Sequence, residues 1–69
     1  MDIRKKVGQN IARIRKEKGW SQEELSFQCE LHRTYISGIE RGIRNPTVTI
    51  LDKISGALNC SIKEFFDLP

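Results

Sequence analysis

The residues between Arg33 and Arg41 carry the most suggestive chemistry in this 69-residue chain. Wound at about 100° per residue, Arg33, Thr34, Ser37, Gly38 and Arg41 share one arc, and Tyr35, Ile36 and Ile39 share the opposite one. The first arc offers guanidinium forks and hydroxyls on a surface otherwise free of bulk. An arginine fork matches the paired acceptors O6 and N7 of guanine, and a Ser or Thr hydroxyl bonds either kind of base edge. Arg33, Thr34 and Ser37 are therefore candidate base-reading residues in a DNA groove, where one bidentate pair discriminates by about 1–3 kcal/mol. Gln22 stands where a preceding helix would begin, and helix N-termini set donors against phosphate. Arg44 and Asn45, just beyond the polar helix, are placed to hold the same strand.

Such an arc needs elements to position it. Ile3, Val7, Ile11 and Ile14 step by helical intervals and predict a first helix over Ile3–Lys18, ended by a left-handed Gly19. Gly8 within it marks a close approach. Ser21 and Glu24 form a capping box opening a second helix, Gln22–Cys29. Glu30 and Leu31 make the corner, His32 caps the third helix over Arg33–Arg41, and Pro46 forces a loop around Asn45. Thr47 caps a fourth helix, Val48–Leu58, which Asn59 stops in the left-handed region. A second capping box, Ser61 to Glu64, begins a short fifth helix through Phe66. The expectation is an all-α fold of five helices in a single domain, residues 1–69, without strands or repeats.

The stretch from Gln22 to Arg41 has the spacing of a helix-turn-helix. Counting Gln22 as the first position, Leu25, Ser26, Cys29, Leu31, Ile36 and Ile39 supply the small residue at the crossing and the apolar residues around it. Together with KGWSQEEL (Lys18–Leu25), LHRTYISGIERG (Leu31–Gly42) and RNPTVTIL (Arg44–Leu51), this pattern resembles Cro/repressor-type (XRE-like) helix-turn-helix proteins along essentially the entire chain. The run HRTYISGIERG is most similar to controller proteins of restriction–modification systems. The resemblance implies a lambda-repressor-like fold, a transcriptional regulator, and binding to a palindromic operator as a symmetric dimer. It also implies backbone contacts from Gln22, Tyr35, Arg44, Asn45 and Thr47, with the Tyr35 ring packed and its hydroxyl turned to a phosphate. Two positions depart from the family pattern. Glu30 replaces the usual corner glycine, at a cost of roughly 1 kcal/mol or more, and Ser26 replaces alanine.

Charge agrees with this reading but is the weaker signal. Twelve Lys and Arg against nine Asp and Glu give +3, with seven of the basic residues between Arg4 and Lys18. A basic patch suits a polyanion. Arg15 and Glu40 each border an apolar stripe, and opposite charges at one core are costly to bury singly; they are expected to form an ion pair between the first and third helices. Four large apolar residues near the end, Ile62, Phe65, Phe66 and Leu68, exceed what one short helix hides and form the expected homodimer interface. The dimer would act by occupancy near a promoter, blocking or recruiting RNA polymerase.

Other functions find little support. His32 has no nucleophile, base and orienting acid around it in any motif, so no enzyme is expected. Cys29 and Cys60 lie thirty-one positions apart, which suits neither a zinc site nor a disulfide framework, so both are expected as reduced thiols. Neither metal nor cofactor is expected. Met1 is followed by charges, and no apolar run approaches the ~20 residues of a membrane span, which predicts a cytoplasmic protein. The rival reading is an antitoxin-type module that uses the same helices to bind a protein.

Overall fold

Residues 2–67 are described by the computed structural model of the chain. Among the described residues four α-helices follow one another, α1 (Ile3–Glu17), α2 (Gln22–Cys29), α3 (Arg33–Glu40) and α4 (Val48–Leu58), and a 3-10 turn (Ile62–Phe65) comes after them. The expected fifth α-helix is this 3-10 turn. Its capping box is present, with Ser61 Oγ accepting from Lys63 N–H and Glu64 Oε2 accepting from Ser61 N–H. The Phe66 N–H then bonds Lys63 O at 3.0 Å, and the Phe65 carbonyl is taken by a side chain of α1, so the α pattern never propagates.

Local signals set the other boundaries. α1 opens on Asp2, whose carboxylate accepts from Arg4 N–H at 3.0 Å, and closes one residue earlier than expected, with Lys18 as cap and Gly19 at φ +80°. The bonds from Arg4 hold the Asp2 carboxyl below its ordinary range. Ser21 caps α2 by accepting from Glu24 N–H at 3.0 Å. Glu24 does not complete the box: its Oε2 accepts from Gln28 Nε2 at 2.7 Å, a partner one turn along the same helix. Thr47 Oγ1 accepts from Ile50 N–H at 3.1 Å and starts α4. Asn59 ends α4 at φ +56°, with Cys60 N–H returning to Ser55 O at 3.0 Å.

The apolar stripes meet in one core, in which Ile11, Leu25, Ile36, Ile54 and Phe65 are each fully buried. Removing each such side chain from water contributes about 1.5–3 kcal/mol. α1 lies unusually close to the end of α3. A Cβ at Gly8 would run into the carbonyl oxygens of Ile39 and Glu40, so only glycine lets the two backbones approach this far. Gly42, at φ +77°, lies under the stem of Lys5 in the same contact. The C-terminus of α3 is thereby pressed against α1, leaving its N-terminal half free to project.

Candidate nucleic-acid interface

The corner between α2 and α3 decides where α3 points. Glu30 occupies the left-handed region at φ +58°, ψ +39°, and Leu31 N–H closes onto Ser26 O at 3.0 Å. The turn expected of glycine is thus made with glutamate, whose side chain is exposed. Ser26 is buried at the crossing, and its hydroxyl donates back to Glu23 O at 2.7 Å, so it fits where alanine is usual. His32 Nδ1 then accepts from Thr34 N–H at 3.1 Å and caps α3.

α3 divides as its sequence winding requires. Ile36 and Ile39 are buried, whereas Arg33, Thr34 and Arg41 are exposed and Ser37 is half-buried on the outer side. Gly38 is the exception. It falls in the polar arc but is buried, because the loop after α3 folds back over it. Both Ile43 N–H and Arg44 N–H bond to Gly38 O, at 3.0 and 3.2 Å. The Arg44 stem lies where a Gly38 Cβ would be, its Cγ at 2.6 Å from that position. The Arg44 guanidinium carbon sits 5.5 Å from the centre of the Tyr35 ring, a cation–π arrangement. Tyr35 is half-buried and packs against the core, so ring, glycine and arginine form one continuous ledge along α3. A glycine in mid-helix was the available signal for this close approach.

Behind the exposed arc lies a buried polar hub. Arg15 Nε donates to Glu40 Oε2 at 2.7 Å and Arg15 Nη2 to Glu40 Oε1 at 3.0 Å, with both side chains less than a tenth exposed. Arg15 Nη1 also donates to Trp20 O at 2.7 Å. The charge pair therefore joins α1 to α3, and Arg15 belongs to the fold rather than to the exposed basic surface. Gln22 Nε2 donates to Glu40 Oε1 at 2.9 Å, which ties the start of α2 into the same hub. One amide proton of Gln22 is committed in this way, and its position on the first turn of α2 is fixed by it. Asn45 and Thr47 lie exposed on the loop beyond Arg44. Thr47 Oγ1 accepts the α4 cap bond, which leaves its hydroxyl proton available to donate.

The described surface thus joins the exposed arc of α3 to Gln22, tied to Glu40 at the end of that helix, and to the exposed Arg44, Asn45 and Thr47 of the loop that follows it. These are the elements with which a helix-turn-helix enters a groove. A family model described as helix-turn-helix matches residues 11–65. Control protein C.BamHI of Bacillus amyloliquefaciens is 49% identical over 67 residues, covering 96% of this chain and 83% of that protein. The crystal structure of the restriction–modification controller protein C.AhdI from Aeromonas hydrophila superposes with a TM-score of 0.89 at 40% identity, over 91% of this chain and 96% of that one. The tetramer of controller protein C.Esp1396I in complex with its natural 35 base-pair operator superposes with a TM-score of 0.83 at 41% identity, over 97% and 99%. The chain belongs to the helix-turn-helix family of DNA-binding transcriptional regulators, Cro/repressor (XRE-like) type.

Within this family fold, one expectation about the C-terminal end changes. Phe65, expected at a dimer interface, is fully buried in the monomer core, because the 3-10 turn directs it between α1 and α4. Ile62 is half-buried against the same core, Phe66 stays 44% exposed, and Leu68 lies outside the described residues. Phe66 shares a shallow groove with Ile3, Val7, Pro46, Val48 and Leu51, of which Val48 and Ile3 are the most exposed. Sequence reasoning had no means of finding Asn10, whose side chain is 1% exposed and reaches the backbone of this end. Cys29 is buried, Cys60 half-buried, and both are free thiols that burial pushes above their ordinary range. Among the described residues, no cluster of His, Cys, Asp and Glu is arranged to hold a metal ion.

Proposed function

We propose that the chain regulates restriction–modification genes by binding a two-fold symmetric operator as a homodimer. Arg33, Thr34 and Ser37 read base edges in the major groove; Gln22, Tyr35, Arg44, Asn45 and Thr47 hold the sugar–phosphate backbone. The observation that carries this reading is the division of α3, with its reading arc exposed and its rear face anchored by the Arg15–Glu40–Gln22 hub. Similarity to controller proteins over almost their full length supports the genetic setting. One recognition helix reads only a few base pairs, so two copies would place their helices on half-sites one turn apart, roughly 34–36 Å. The exposed face around Phe66, Ile3 and Val48 is the surface through which those copies would meet. Bound near a promoter, the dimer would block or recruit RNA polymerase by occupancy.

Selection of bound duplexes from a random pool tests the reading. A recovered site with two-fold symmetry and half-sites about one turn apart supports it; unsymmetrical or random recovery overturns it. The same assay separates the roles. Arg33→Ala should cost about 1–3 kcal/mol at one base position and relax preference there. Arg44→Ala should weaken binding to all sequences alike and reduce the salt slope by about 1. The reverse outcome would reassign the two arginines.

A further inference from the structure

Asn10 takes no part in the surface proposed to meet DNA, yet its side chain is almost completely buried in α1. A buried amide must find partners for two N–H donors and a carbonyl oxygen, or it costs stability. These partners come from both ends of the chain. Asn10 Nδ2 donates to Phe65 O at 2.8 Å and to Asp67 O at 2.7 Å, while Oδ1 accepts from Arg13 Nη2 at 3.3 Å. The two accepting carbonyls lie at the end of the 3-10 turn, where a helical segment leaves carbonyls without backbone donors. Phe66 sits between the two clamped peptide groups. Phe65 before it is buried, and the Phe66 ring lines the groove with Ile3, Val7 and Val48.

We infer that Asn10 is a positioning residue for self-association: by clamping the Phe65 and Asp67 carbonyls it presents Phe66 in one orientation to a second copy of the chain. The inference rests on the reading that copies meet through the Phe66 face. The chemistry requires an amide. Aspartate has the same shape but, when ionised, no donor, and it would set a negative charge against two carbonyl oxygens. Because the clamp closes within one chain, the end is ordered before the partner arrives, which removes that ordering cost from association.

Sedimentation of the full chain across a concentration series tests this, comparing wild type with Asn10→Asp, Phe66→Ala and, as a core-destabilised control that leaves the clamp intact, Ile54→Val. Asn10→Asp should weaken self-association about tenfold, the loss expected when two hydrogen bonds no longer hold the end, and Phe66→Ala should weaken it about tenfold or more through the apolar surface it removes. Ile54→Val should associate as wild type does. Asn10→Asp behaving as wild type while Phe66→Ala weakens would overturn the positioning role and leave the interface standing. An equal loss in Ile54→Val would also overturn it, since general destabilisation would then account for the effect. Phe66→Ala behaving as wild type would overturn the interface itself. If Asn10→Asp does not fold, proton exchange in the wild-type chain diluted to monomer decides. Asn10 side-chain amide protons exchanging more slowly than those of exposed Asn45 support the clamp, and equal rates overturn it.

Discussion

Glu40 shows how one side chain can serve three helices at once. Its carboxylate accepts from Arg15 on α1 and from Gln22 on α2, while its own backbone ends α3. A buried pair of this kind adds little over a well-packed apolar pair, but losing one partner strands a charge. Glu40→Ala should therefore destabilise the fold by about 3–5 kcal/mol, read from urea unfolding, and the double change with Arg15→Met should cost less than the two single changes added together. Additive costs would mean that the pair is not coupled. The cysteines allow a pH experiment at the same scale. Burial raises the Cys29 thiol above its ordinary value of 9.0, so the folded chain keeps a proton that the unfolded chain releases. The contribution of Cys29 is fully present below that ordinary value and is lost as pH rises through the folded one. The stability gap between wild type and Cys29→Ala should accordingly narrow on the alkaline side of 9.0, measured by denaturant unfolding at a series of pH values.

Among the elements, the corner and the α1–α3 crossing are where substitutions act most directly on the placement of α3. Glu30 holds a left-handed conformation that costs an L-residue about 1–2 kcal/mol. Glu30→Gly relieves that strain while adding freedom to the unfolded chain, so the net gain should be up to about 1 kcal/mol, or about 4–8 °C in melting temperature for a domain of this size. A lower melting temperature would show that the glutamate side chain makes a compensating contact. Gly8→Ala should act in the opposite direction, since its methyl meets backbone carbonyls that cannot move without shifting α3. These two positions show what the sequence could reveal. A non-glycine residue at the corner and a glycine inside α1 each break a local rule, and a broken rule points to its place in the fold. The Arg15–Glu40 pair was legible for a similar reason, because a charge on an apolar stripe needs a partner. Asn10 breaks no rule in sequence; its meaning depends on carbonyls fifty-five and fifty-seven residues away. Phe65 and Phe66 are adjacent and identical, so only the path of the 3-10 turn could decide which of them enters the core.

At the scale of the whole molecule, charge and the proposed self-association would act on one equilibrium. The chain carries +3 overall, yet Arg15 is sequestered by Glu40, Arg4 is paired with Asp2 and Arg13 with Glu17. The basic count of α1 therefore overstates its unpaired charge, and under the proposed binding mode the exposed Arg33 and Arg44 around α3 would carry most of the near-field attraction to DNA. Each phosphate neutralised contributes about −0.9 to the slope of log affinity against log salt. A dimer engages two such sets, so a full operator should show about twice the slope of a half-site bound by a single copy. Phe66→Ala separates the two terms. If copies meet through Phe66, this substitution should leave half-site affinity and its slope unchanged while binding to the full operator falls and becomes steeply dependent on protein concentration. Titrating both duplexes at several salt concentrations makes the comparison, and parallel losses on half-site and full operator would place Phe66 in the fold of the monomer instead.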